Sequence, residues 1–162
     1  MVKVIIEQSE LNYSLELRGI LTDRLAAVKF TTDDNNASMS SEINSSEKCF
    51  ICSNKFLKTK GGQQLLVSYA KEFKANSIIV IDQEQDTFSI EEDLGGKLIR
   101  VGIPDNSPQL EDNTSSCDYG MHLIATIVTK NNQFIAGDAV TKKLVSLAKR
   151  VAQTDVTVFI NG

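Results

Sequence analysis

Apolar residues in this chain gather into short runs, and most of the runs have the period of a strand. Residues 2–7 (VKVIIE) alternate loosely and are rich in β-branched side chains, which predicts a strand. Residues 11–21 carry Leu11, Tyr13, Leu15 and Leu17 at alternate positions. With Gly19 behind them this predicts a strand and turn, although Leu17 and Ile20–Leu21 also serve a short helix. Residues 25–32 (LAAVKFTT), 49–56 and 97–103 predict further strands, the last ended by Pro104. Residues 77–81 (SIIVI) are apolar almost throughout, as in a strand buried on both faces.

Helical period appears twice. In 63–75, Leu66, Tyr69, Ala70 and Phe73 fall at i, i+3, i+4 and i+7. In 139–152, Val140, Leu144, Leu147 and Val151 form a second stripe behind Asp138, a good N-cap. Residues 121–129 and 133–136 predict a hairpin about Lys130-Asn131-Asn132, and 155–160 (DVTVFI) a closing strand. Two polar stretches, 31–48 and 105–119, predict loops. The first is read as a solvated insertion in preference to a binding lid. The expected fold is α+β: one domain over 1–162, a mixed sheet with two main helices, about 63–75 and 139–152, packed on it.

Composition narrows the class of partner. A net charge of −4 and a pI of about 5.0 argue against a nucleic-acid or anionic-membrane surface, because binding phosphates takes an excess of Lys and Arg. No apolar run approaches the roughly 18 residues of a membrane span. The opening MVKVIIEQSE lacks the secretory pattern, so the expectation is a cytoplasmic protein, or one exported by a leaderless route. Three cysteines, an odd and sparse set, read as reduced thiols.

Cys49-x-x-Cys52 and Cys117-x4-His122 use every Cys and the lone His, the makings of a Cys3His zinc set. Residues three apart on a strand face opposite sides, however, so Cys49 and Cys52 are expected to be buried thiols and no metal site is expected. The window 109–120 is similar to the Gln…Cys-Gly segment of clan CE ubiquitin-like-specific proteases. Those need a histidine upstream and a glycine after the cysteine, and Asp118 stands there instead. Asp82, Glu84 and Asp86 alternate as in a calcium loop. Thr87 and Asp93 replace its Gly and Glu, and 82–93 is read as a solvated acidic turn.

Residues 48–81 read as strand, basic glycine turn, amphipathic helix, strand. Lys58, Lys60, Gly61, Gly62 and Gln63 would set lysines and unpaired backbone N–H groups at a helix N-terminus, which attracts phosphate. Neither a Walker A motif nor GxGxxG is present. Over 48–102 the order of elements resembles the acyl-CoA-binding core of the GCN5-related N-acetyltransferases, which acyl-homoserine-lactone synthases share. Lys58 takes the basic position, Gly61 the first glycine and Leu66 the leucine. Asn54 and Gln63 stand where the family carries valine and a small residue. The later 94–99 (LGGKLI) is similar to the segment that follows in that family. The resemblance implies acetyl-CoA or CoA as cofactor, held by residues 58–63, with Glu91 or Glu92 as general base.

Two function classes follow. One is a small binding or interaction protein (an effector, chaperone or immunity-like module) without clear catalytic machinery, whose partner is another protein. The alternative is an acyl-CoA-dependent N-acyltransferase or a degenerate relative of that fold.

Overall fold

A strand that is apolar at every position must be covered on both faces. The computed structural model, which describes residues 2–33, 47–104, 116–129 and 139–152, meets that demand with a mixed sheet between two helical layers. In chain order the elements are β1 (Lys3–Ile6), α1 (Ser14–Asp23), β2 (Ala27–Phe30), β3 (Lys48–Ser53), α2 (Asn54–Lys60), α3 (Gly62–Glu72), β4 (Ser77–Gln85), β5 (Ser89–Asp93), β6 (Leu98–Pro104), α4 (Ser116–Thr129) and α5 (Ala139–Val151). The strands lie in the order β2-β1-β3-β4-β6-β5. All neighbours run parallel except the edge pair β5–β6. The expected class, a single α+β domain with helices on a mixed sheet, is the one observed.

Two cores form because alternate side chains of a strand point to opposite faces. Val4, Ile6, Cys49, Ile51, Ile79, Ile81, Val101 and Ile103 bury against Leu17 and Leu21 of α1 and against Met121, Ile124, Ala125 and Val128 of α4. Ile5, Phe50, Cys52, Val80 and Leu98 bury on the other face, against Phe56 and Leu57 of α2 and Leu66 of α3. There the Phe50 ring stacks on Tyr69 and Phe73 at 5.3 and 5.7 Å.

Several expectations need correction. Residues 14–23 are a helix, not a strand and turn. Leu17 and Leu21, one turn apart, are both fully buried, while Leu15 and Gly19 face solvent. Burying two leucines is worth roughly 1.5–3 kcal/mol each. That outweighs the roughly 1 kcal/mol a helical glycine costs. Residues 121–129 are likewise helical, within α4, because Met121, Ile124, Ala125 and Val128 share one buried face. Residues 116–119 of the expected second loop also belong to α4. The strand expected over 49–56 stops at Ser53, whose hydroxyl accepts the Phe56 N–H at 2.9 Å and caps α2. Residues 82–93 are not one solvated turn: they make the end of β4 and all of β5. Asp138, the strands expected over 133–136 and 155–160, and loop residues 34–46 and 105–115 lie outside the described residues.

α4 sits close on β6. A Cβ at Gly120 would lie 2.7 Å from Cδ1 of Ile103, whereas one at Gly19 would meet nothing within 4 Å. Gly120→Ala is therefore expected to destabilise by about 1–3 kcal/mol through overpacking. Gly19→Ala is expected to stabilise by about 1 kcal/mol through helix propensity. Denaturant unfolding of the two variants checks this, and shifts of the same sign would contradict the packing described.

Candidate functional site

The residues expected to cradle a phosphate do not form a turn at a strand end. Lys58 and Lys60 lie in α2, Gly61 (φ 130) ends it, Gly62 (φ 63) opens α3, and Gln63 stands in the first turn of α3. Lys58 Nζ is 3.4 Å from Glu84. β3 and β4 remain paired without a break from Cys49↔Ser77 to Ser53↔Ile81, so no opening lies between those two strands. Glu91 and Glu92 are exposed on β5, opposite Arg100 and Ile99 and therefore on opposite faces of the sheet. Of the residues 58–63 and Glu91 and Glu92, Gln63 alone lines the groove described below.

The thiols divide as the strand period requires. Cys49 faces the first core and Cys52 the second, so they cannot share an ion. Burial pushes the Cys49 thiol up to about 11, against a partly offsetting hydrogen bond with Ser77. Burial, with Glu7 adding to it and Arg100 opposing it, pushes Cys52 up to about 12. Among the described residues no group of three His, Cys, Asp or Glu is placed to hold a metal. His122 belongs to a strap between α1 and α4. The buried Arg24, just past α1, donates to Thr126 Oγ1 at 2.5 Å and to His122 Nδ1 at 3.3 Å. A guanidinium has no acceptor, so that ring nitrogen accepts. His122 Nε2 lies 3.8 Å from Asp118.

Open sheets with parallel strands bind ligands beyond the carboxyl ends, where the chain switches from one face to the other. Here that point lies between β1, followed by α1 on one face, and β3, followed by α2 on the other. Its polar groups hold one another. The Thr31 hydroxyl and the Ser9 N–H donate to Glu7 at 2.8 and 2.9 Å. Asn54 donates to Asp82 at 2.7 Å, and Lys55 pairs with Glu10 at 2.9 Å.

A second opening, among the described residues, is apolar. Among the described residues, helical cover on the face carrying α2 and α3 stops near β4. The chain passes from β4 to its parallel neighbour β6 through strand β5, where two parallel strands are commonly linked by a helix. A cavity of about 580 Å³ opens between α3 and the β5–β6 turn. Leu66, Val67 and Ala70 line one wall, Ile78 and Leu98 the floor, and Leu94 the lip. Val67 is 51% exposed and Leu94 75%. The lip is held in a left-handed run, Leu94 (φ 53), Gly95 (φ 66) and Gly96 (φ 79). On the rim stand Lys71, Lys97 and Arg100 with one carboxylate, Asp93, 3.6 Å from the Arg100 Nε. The rim thus carries a positive excess. Sequence reasoning missed this groove because it depends on strand order. The signal present was the lack of helical period between 82 and 97.

Comparison of the chain with known protein families, with curated proteins and with solved structures found no match. Among the described residues no helix is long and apolar enough to cross a membrane.

Two outcomes test the electrostatic picture. Cys49 and Cys52 should resist a thiol reagent in the native protein at pH 8 and react once guanidinium unfolds it. Fast native modification of either would contradict their burial. Asp82 is partly desolvated, which raises its pKa. Bonds from Gln85, the Glu84 N–H and Asn54, with Lys58 nearby, outweigh this and hold the carboxyl below its ordinary value of 3.8. A depressed folded pKa contributes stability that is fully present above the unfolded value and is lost as pH falls through the folded one. Asp82→Asn should therefore be less stable than the wild type at pH 7, with the gap closing as pH drops below 3.8. Urea unfolding across pH reads this, and a pH-independent gap would contradict it.

Proposed function

We propose that this protein is a non-enzymatic binding module whose site is the groove between α3 and the β5–β6 turn, and that it takes an acidic amphipathic helix of a partner protein. The observation that carries this reading is the apolar floor that no helix of the described residues covers beside β4 and β6. A partner helix lying there takes the place that a crossover helix would fill. Its apolar stripe meets Leu66, Val67, Leu94 and Leu98, and its carboxylates meet Lys71 and Lys97. The rim charge favours an acidic over a basic ligand. The buried, proton-retaining thiols and the internally paired carboxylates at the sheet's carboxyl edge support binding over catalysis.

A fluorescent peptide with Leu at helical spacing and Glu on the opposite face tests the reading by anisotropy. Val67→Asp, and separately the pair Lys71→Glu and Lys97→Glu, should each weaken binding at least about tenfold, as loss of a buried anchor or of a charge contact does. A Lys-substituted peptide should bind more weakly than the Glu version. Equal binding by these variants, or preference for the basic peptide, would remove the groove as the site. Acetyl-CoA at millimolar concentration should give no binding heat. A saturating isotherm would instead restore the acyl-transferase class.

A further inference from the structure

The hairpin of β5 and β6 turns through a residue ill suited to the turn. The Gly96 N–H donates to the Asp93 carbonyl at 3.1 Å, which makes Leu94 and Gly95 the central residues of a β-turn. Both have positive φ, 53 and 66. That is the pattern of a type I′ turn, whose twist matches two antiparallel strands. Its central positions favour Asn, Asp and Gly. A leucine Cβ in the left-handed region comes too close to the following carbonyl oxygen.

Among the described residues, no packing explains a leucine there. Leu94 is 75% exposed, so folding buries little of its side chain. A Cβ placed on Gly95 would meet nothing within 4 Å, which leaves that side of the tip open. The other leucine with positive φ, Leu25 (φ 64), is partly buried, and Glu10, Tyr13 and Lys74 carry polar groups for solvent. Leu94 instead lines the groove beside α3, as does the half-exposed Val67. Its place is fixed before any ligand arrives. Asp93 pairs with Leu98 across the hairpin, and its carboxylate lies 3.6 Å from the Arg100 Nε. An unfavourable backbone conformation kept at an exposed apolar residue points to a role outside folding.

We infer that Leu94 is a preformed anchor for the partner helix, held in a left-handed turn that destabilises the fold and sets an apolar side chain at the lip of the groove. This rests on the groove being the binding site. A side chain already in its bound place loses little freedom on association, which is how preorganisation adds affinity. Folding stability and affinity therefore oppose each other at position 94.

Two variants separate these effects. Leu94→Asn suits the turn and removes the apolar side chain, because Asn tolerates the left-handed region. Leu94→Met keeps both the misfit and an apolar side chain. In urea, the folding equilibrium constant of Leu94→Asn should rise about fivefold over the wild type, and that of Leu94→Met should stay within about twofold. Anisotropy with the fluorescent peptide carrying Leu at helical spacing and Glu on the opposite face should show Leu94→Asn binding at least about tenfold more weakly. Leu94→Met should bind within about threefold of the wild type. Weaker binding by a more stable protein cannot come from damage to the fold. If the wild type binds the peptide but Leu94→Asn folds no better, or binds as tightly, the anchor is overturned and the groove stands. An equal loss of binding in Leu94→Met would overturn the anchor as well. A wild type that does not bind the peptide would remove the groove, and the anchor with it.

Discussion

β4 runs parallel to both of its neighbours, and its residues alternate between two apolar layers, so it has to be covered twice. Ile79 and Ile81 meet the layer that α1 and α4 complete, while Ile78 and Val80 meet the layer of α2 and α3. This requirement fixes where the helices lie. It also explains a weakness in the layering: the link from β4 to β6 is a strand, so among the described residues the second layer has no helix beyond α3. The groove exists because the sheet extends further than its cover. A positive rim over an apolar floor then sets the chemistry of what can fill it.

Much of this was legible from local pattern. The runs at 2–7 and 25–32 became β1 and β2 with their ends trimmed, 97–103 became β6 one residue later at each end, taking in Pro104, and 77–81 became the buried part of β4. The stripes of Leu66 and Tyr69, and of Val140, Leu144 and Leu147, lie on helices as their spacing required. The period-two argument about Cys49 and Cys52 held because it depends on backbone geometry, and each thiol went to a different core.

Other parts depended on tertiary context. Leu15 and Leu17 are two apart and look like strand neighbours, but burial chose Leu17 with Leu21 and left Leu15 outside. In α4 the residues Met121, Ile124, Ala125 and Val128 sit within an almost unbroken apolar run, which hides the helical period until a sheet defines the inner face. The Gly61-Gly62 pair looked like a turn leaving a strand. The Ser53 cap had already started a helix eight residues earlier, which changed what the glycines do. Strand order, and with it the groove, follows from pairings between residues far apart in the chain.

The open floor between α3 and β6 is tested most directly by methyl-labelled NMR during titration with the acidic amphipathic peptide. Shifts should concentrate on the methyl groups of Leu66, Val67, Ile78, Leu94 and Leu98, leaving those of Val4, Leu17 and Ile124 in the opposite core unchanged. Shifts spread over α1, α4 or the carboxyl ends of β1 and β3, with Val67 and Leu98 unmoved, would contradict it.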